Sequence, residues 1–409
     1  MNSKVSIAIC PDYEQSKVDK AVRQSLALLG GLSLIIKPGQ KVLLKVNALM
    51  DSEPELAVTT HPAIVSAVIK EVHKLGAKAY VGDSPGNVAA NIEKTMEKTG
   101  FLKAVQEAGA EILNFQKAKI ADVPSPSNNK RINILKIAQA VLDADVIINL
   151  PKLKTHGWTL YTGAIKNMFG SVPGFFKSKY HIFAPQPHEF SEMLVDILEI
   201  TKPQLNIMDA VIGMEGAGPS AGQKRQMGAI MASTDAVALD AVCSTAIGYK
   251  PFDIDTTKIA HQRNLGQGDL ENIEVVGTSL SKITQPDWKH ASSTYSLTRL
   301  IPNWLNFLFR PITRFMRVDP IIMQEKCTKC LICVKNCPAE TIKTHPLLTQ
   351  TLPSPSLNKR GGIKGSDFTV EIDLSKCIMC FCCHELCPYK AIKLKRSWLA
   401  KMIGVQGLD

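Results

Sequence analysis

Two stretches decide the reading of this chain: CTKCLICVKNCP at residues 327–338 and CIMCFCCHELCP at residues 377–388. Both follow the pattern C-x2-C-x2-C-x3-C-P. Three thiolates so spaced wrap three irons of one [4Fe–4S] cubane from a single tight loop. The fourth, on the following helical turn, points away and ligates the other cluster. The spacing therefore predicts two clusters with crossed ligation. Cys327, Cys330, Cys333 and Cys387 are expected on the first, and Cys377, Cys380, Cys383 and Cys337 on the second. Neither half completes a cluster alone, which couples metal binding to folding.

Cysteine usage across the chain agrees. Nine of the 11 cysteines lie between 327 and 387, and only Cys10 and Cys243 precede them. A secreted disulfide scaffold spreads its cysteines, whereas a cytosolic protein that concentrates them is binding metal. Structural zinc is the alternative for paired CxxC motifs, but it wants two pairs of thiolates and fits two three-cysteine loops badly. Cys382 falls off the pattern and reads as a buried bystander. Pro338 and Pro388 stiffen the exits, and Ile342 and Ile392 are placed to shield the clusters from water. The block resembles the bacterial-type two-[4Fe–4S] ferredoxins over about 65 residues. It departs from them in the connection between the halves. There 39 residues separate Cys337 from Cys377, and a Pro-, Gly- and Ser-rich surface loop is inserted at about 344–367.

Upstream, residues 279–320 carry the aromatic and basic run TRLIPNWLNFLFRPITRFMR. Pro302 and Pro311 cut it into short pieces, so it reads as a linker, and peripheral membrane contact is not expected of it. The tail 397–409 reads likewise. The formal net charge of +11 is unevenly placed: +1 over 1–278, +4 over 279–320 and +6 over 321–409. Each oxidised cluster with four thiolates carries about −2, so two would offset about 4 of those charges. That argues against a nucleic-acid partner. No apolar run of eighteen residues exists to span a membrane, and the N-terminal residues read as a strand rather than a secretory signal. A cytoplasmic protein is expected.

Residues 1–278 alternate short apolar runs with helical periodicity, the pattern of an α/β fold: a mostly parallel sheet with flanking helices. Strands are predicted at residues 5–9, 41–47, 79–82, 110–115, 144–150, 206–212, 228–232 and 273–276. Helices are predicted at 17–29, 190–201 and 235–248, and from Pro62 to the stop at Gly76. The expected organisation is thus an α/β domain over 1–278, a linker over 279–320, and a small α+β ferredoxin-type iron–sulfur domain over 321–396.

Polar clusters follow the predicted strands, where α/β proteins place their sites. Lys45 follows one strand and Asp83, in GDSPG, the next. Lys152, Lys154 and His156 lie in a loop after residues 144–150, with Lys166 and Asn167 beyond in TGAIKNMFG. Each is by itself as well explained by packing, and together they would suit a small anionic substrate. GMEGAGPSAG lacks the Lys-Ser/Thr of a phosphate-binding loop and the spacing of a dinucleotide fingerprint, so no nucleotide site is expected. His181 and His188 are not on one helical face, and Tyr180 and Phe183 beside them point to packing or a lid.

The strings NLPKLKTH…TGAIKNMFG, DAVIGMEGAGP and ASTDAVALDAV resemble the family catalogued as domain of unknown function 362, over roughly residues 40–278. Members are often fused to a two-cluster ferredoxin, and the resemblance implies that Lys152, Lys154, His156, Lys166 and Asn167 belong to the shared core. Two readings result. In one the chain is an electron-transfer protein that works with a redox partner protein. In the other it is an oxidoreductase whose α/β domain acts on a small anionic substrate with electrons from the clusters.

Overall fold

The computed structural model describes residues 3–87, 91–127, 129, 131–291, 318–346, 356–357, 363–364 and 368–396. The chain divides into two compact units, residues 1–86 with 90–291 and residues 87–89 with 292–409.

The strands of the first unit are β1 (Ser3–Ile9), β2 (Lys41–Lys45), β3 (Lys78–Asp83), β4 (Glu111–Asn114), β5 (Ile120–Pro124) and β6 (Ile134–Ala138). They continue as β7 (Val146–Asn149), β8 (Lys152–His156), β9 (Leu160–Thr162), β10 (Leu205–Glu215), β11 (Gln223–Ser233) and β12 (Ile273–Gly277). The main sheet runs β12-β1-β11-β10-β7-β2-β3-β4, with β8 on β10 and β9 on β8, while β5 and β6 form a separate hairpin. Pairing is parallel from β10 through β7, β2 and β3 to β4, and antiparallel where β11 joins β10 and β1. The sheet is therefore mixed but mostly parallel, as the apolar runs predict. Val42, Leu43 and Leu44 of β2 are all buried, as expected of a strand covered on both faces.

The flanking helices follow from their sequence. Gln15–Leu28 buries Val18, Val22 and Leu26 at helical spacing. Pro62–Lys74 starts on its proline, with His61 Nδ1 accepting from Ala63 N at 3.2 Å as the cap. Both pack into one core with Val42, Leu44, Ile148 and Ile207.

Two expectations need correction. Residues 152–156 are strand β8, not a loop, because β8 finds partners in both β10 and β9. Residues 279–291, read as the start of the linker, belong to the first unit: Leu280–Ile283 is helical and Trp288 is buried. The rest of that linker, residues 292–317, and the tail 397–409 lie outside the described residues.

In the second unit, β13 (Val318–Ile322) pairs with the strand Ile392–Arg396, and β14 (Ile342–Pro346) pairs with Phe368–Ile372. The inserted segment contributes an antiparallel pair, Ser356–Leu357 with Ile363–Lys364. A repeat runs through this unit at an offset of 50 residues, carrying strand 318–322 onto 368–372 and strand 342–346 onto 392–396. Each pair thus joins one strand from each half.

Gly82 illustrates how tightly the parallel edge is packed. A Cβ there would lie 2.5 Å from Phe115 Cε1, and Phe115 is fully buried. Gly82→Ala should therefore lower stability by about 1–3 kcal/mol through overpacking. Urea denaturation should show a lower midpoint at unchanged slope; an unchanged midpoint would mean that Phe115 repacks freely.

Candidate functional site

Strand order reverses between β2 and β7: β3 and β4 lie on one side of β2, and β7 and β10 on the other. In open α/β sheets, ligands bind outside the carboxyl ends of strands at such a point. The carboxyl ends here carry polar side chains where burial favours apolar ones. Lys45 ends β2, Asp83 ends β3 and Asn149 ends β7, and all three are buried.

Five of the seven sequence-predicted residues, all but His156 and Lys166, fall into three adjoining groups. In the first, Lys45 Nζ pairs with Asp83 Oδ1 at 2.8 Å and donates to Val46 O at 2.8 Å. Asp83 accepts from Ala48 N at 2.6 Å and from Ser84 N at 2.7 Å. Burial depresses the Lys45 ammonium below its usual range, opposed by Asp83. The second is an amide relay. Lys154 Nζ donates to Asn47 Oδ1 at 2.9 Å, Asn47 Nδ2 to Asn167 Oδ1 at 2.9 Å, and Asn167 Nδ2 to Asn149 Oδ1 at 2.7 Å. It runs across the carboxyl ends of β2 and β7, at the reversal of strand order.

The third group centres on Lys152, whose Nζ lies 2.9 Å from Asp209 Oδ2 and 2.6 Å from Tyr13 Oη. Tyr13 donates onward to Asp209 Oδ1 at 2.7 Å and stacks on His61 at 3.6 Å between ring centroids. Burial lowers the Lys152 ammonium and holds the His61 imidazole down at about 4. His156 stands apart, its Nδ1 accepting from Trp158 N and Thr159 N within its own turn. His181 packs flat on Phe190 at 4.5 Å, as the packing reading expects.

Five contributors escape a sequence reading. Tyr13, His61 and Asp209 come from distant segments. Asp240, fully buried and pushed up to about 7 by that burial, accepts from Ala164 N at 2.6 Å and Ile165 N at 3.0 Å, which fixes the TGAIKN turn. Lys177, on the helix Gly174–Phe183, is buried and donates to Ser84 O. The signal that could have found it is the polar KSK inside an otherwise apolar helix that starts after Pro173.

In the second unit the cysteines surround two cavities. One is lined by Cys327, Cys330, Cys333 and Cys387, with Pro388 and Ile392. The other is lined by Cys337, Cys377, Cys380 and Cys383, with Pro338 and Ile342. The motif loops repeat in backbone conformation at the 50-residue offset. Lys329, Leu331 and Glu340 have φ of 57°, 61° and 52°, and Met379, Phe381 and Lys390 have 54°, 61° and 50°. Non-glycine residues rarely adopt this left-handed region. Met379 N donates to Cys377 Sγ at 3.4 Å, Thr341 N to Cys337 Sγ at 3.4 Å and Ala391 N to Cys387 Sγ at 3.3 Å. Burial pushes the Cys333 thiol up to about 12, reinforced by Cys330, Cys327 and Cys387. Cys382 lines neither cavity and lies against Cys380.

One unit built on an α/β sheet and another with two cavities ringed by cysteines define the class of the chain, and comparison with known proteins supplies the family. Residues 42–245 match the domain of unknown function DUF362, and residues 326–391 match a 4Fe-4S dicluster domain. The thylakoid-associated protein sll1697 of Synechocystis sp. is 36% identical over 267 residues, which cover 65% of this chain and 80% of that protein. The chain belongs to the DUF362 family, and its second unit is of the iron–sulfur, electron-transferring type. Among solved structures, the lactate racemase apoprotein from Thermoanaerobacterium thermosaccharolyticum aligns at 10% identity and TM-score 0.39, covering 59% of this chain and 56% of that one. A Thermotoga maritima protein aligns at 14% identity and TM-score 0.33, covering 49% and 50%. Among the described residues no helix is long and apolar enough to cross a membrane.

His61 generates a pH prediction. Between pH 6.5 and 4 the unfolded chain protonates this imidazole and the native one does not, so its contribution to stability falls on acidification. Asp240 acts oppositely, since its raised native pKa favours the folded state as pH falls below 7. The comparison with His61→Asn, which retains a capping acceptor, isolates the imidazole. The stability difference, wild type minus variant, should fall by about 1.4 kcal/mol per pH unit across that window. A difference flat with pH in chemical unfolding would mean that His61 is protonated in the native state.

Proposed function

We propose that the chain is a soluble-phase electron carrier holding two [4Fe–4S] clusters with crossed ligation. Cys327, Cys330, Cys333 and Cys387 hold one, and Cys377, Cys380, Cys383 and Cys337 hold the other. The observation that carries the reading is the partition of these eight thiols between two cavities, each ringed by three cysteines of one motif and the fourth of the other. The donor set fits the group. Mononuclear zinc would draw its four sulfurs to about 3.8 Å from one another, given Zn–S bonds of about 2.3 Å. Among the described residues no three His, Cys, Asp or Glu side chains are gathered for a single ion.

A bound cluster would supply one-electron chemistry at each cavity. The chain's own residues set its conditions. Burial and the neighbouring thiols disfavour ionisation of Cys333 and Cys383, and iron would reverse that balance. Amide hydrogens on Cys337, Cys377 and Cys387 sulfurs stabilise thiolate charge and favour the reduced cluster. Ile342 and Ile392, both buried, keep water from the two cavities. Exchange with a redox partner protein in the cytoplasm, a compartment that keeps these thiols reduced, completes the proposed role.

Paired substitutions test the crossing. Anaerobically purified wild type should hold about eight irons. Removing Cys327 with Cys387 strips two ligands from one proposed cluster, so the protein should keep about four irons and one reduced-state EPR signal. Removing Cys327 with Cys337 takes a ligand from each, and both clusters should be impaired. The opposite pattern, with four irons surviving loss of Cys327 and Cys337, would establish ligation within each motif and defeat the proposal.

A further inference from the structure

The two motifs of the second unit end in the same turn but not in the same side chain. After each fourth cysteine comes a residue in the left-handed region, Glu340 at φ 52° and Lys390 at φ 50°. Its amide donates to the cysteine's carbonyl oxygen at 3.2 Å in both halves. That turn folds the next residue back over the sulfur. Thr341 N donates to Cys337 Sγ at 3.4 Å, and Ala391 N, at the corresponding position of the other half, donates to Cys387 Sγ at 3.3 Å. The backbone contact is therefore common to both halves. The side chains differ. Thr341 Oγ1 lies 3.4 Å from Cys337 Sγ, whereas the methyl group of Ala391 has no hydrogen to donate.

Both residues are buried. Thr341 lines the cavity of Cys337, Cys377, Cys380 and Cys383, and Ala391 lines the other. Cys337 Sγ is the one side-chain partner of Thr341 Oγ1 among the described residues. A free thiol could donate or accept here. A thiolate bound to iron has no hydrogen of its own, so in the loaded protein the hydroxyl donates and the sulfur accepts. The extra donor also stands where it is most needed. Cys380 and Cys383 are buried, while Cys327, Cys330 and Cys333 are half-exposed, and negative charge costs more where water is further away. A second polar replacement falls beside the same thiols: Cys382, which lies against Cys380, stands where the first half has Ile332.

We propose that the Thr341 hydroxyl donates to Cys337 Sγ and so raises the reduction potential of the cluster held by Cys337, Cys377, Cys380 and Cys383, a contribution that the other cluster lacks. The inference rests on the proposed crossed ligation. In the step concerned, the redox partner protein is oxidised by one electron and the cluster is reduced by one. No bond breaks and no proton moves. The added negative charge is shared by the ligand sulfurs and makes them better acceptors, so the hydroxyl stabilises the reduced state more than the oxidised one. Thr341 is a positioning residue, since it acts through Cys337.

Anaerobic potentiometric titration of the cluster-loaded full chain, followed by EPR, tests this. Iron is counted first, and wild type and each single variant should hold about eight. Thr341→Val keeps the shape and removes the hydroxyl. At a fixed potential it should lower the reduced-to-oxidised ratio of one cluster about 3- to 10-fold, tenfold being about 59 mV for one electron, and leave the other unmoved. Thr341→Ser keeps the donor and should titrate like wild type. Ala391→Thr places a hydroxyl at the corresponding turn and should raise the other midpoint, which keeps the test decisive if Thr341→Val fails to load iron. Removing Cys327 with Cys387 leaves the cluster beside Thr341, whose single midpoint should still fall on Thr341→Val. An unmoved midpoint there with about four irons bound, an equal fall in Thr341→Ser, or no rise in Ala391→Thr would overturn the proposal. Loss of both clusters on removing Cys327 with Cys387 would overturn the crossed ligation, and with it the cluster assigned to Thr341.

Discussion

Lys152 Nζ is held between Asp209 Oδ2 and Tyr13 Oη in a position almost free of solvent, and the centre of the sheet is arranged around that contact. A buried ammonium left alone costs several kcal/mol, and removing one member of a buried pair costs about 3–5 kcal/mol. Meeting that demand takes three segments. β8 supplies the lysine, β10 the carboxylate, and the loop ahead of Gln15–Leu28 the tyrosine. Asp209 also accepts from His61 N at 2.8 Å, which ties the start of Pro62–Lys74 to the same point. The polar interactions at these strand ends thus position the helices as well as the residues between them.

The same physics reappears in the second unit with opposite sign. Eight thiols of half-exposed or buried cysteines converge in two groups, and burial with neighbouring thiols makes those of Cys333, Cys377 and Cys383 harder to ionise. In the first unit protein charges and dipoles supply the compensation. In the second, on the proposed reading, it comes from iron, so the thiols' arrangement has a purpose only with the metal bound. Lys177 lies between these cases, a buried cation whose protein partner is a carbonyl.

Much of this architecture was legible in the apolar pattern. Strands such as Lys41–Lys45 and Val146–Asn149 are short apolar runs bounded by polar residues, and the helix Gln15–Leu28 shows its stripe plainly. Lys152–His156 was not legible, because a lysine-rich pentapeptide carries no strand signature until its neighbours on β10 and β9 are known. Lys45 and Asp83 could be picked out from their places after strands, but their pairing with each other depends on β2 and β3 being adjacent. Lys177 was hidden for a related reason. A lysine in a helix is ordinarily solvated, and its burial comes from where Gly174–Phe183 lies. Cysteine spacing differs from all of these, since ligand chemistry imposes it along the chain and leaves it readable without the fold.

The repeat at 50-residue offset has a consequence for how such a module can be divided. Each strand pair takes one strand from each half, and each cavity draws its fourth cysteine from the opposite motif. A peptide with one motif would have an open sheet edge and three cysteines facing an incomplete ring. Two identical copies could close each other by exchanging strands and fourth cysteines, giving a symmetric dimer with the geometry of the present unit. The single chain is then the covalently joined form of that dimer, and its two halves exchange strands within one molecule.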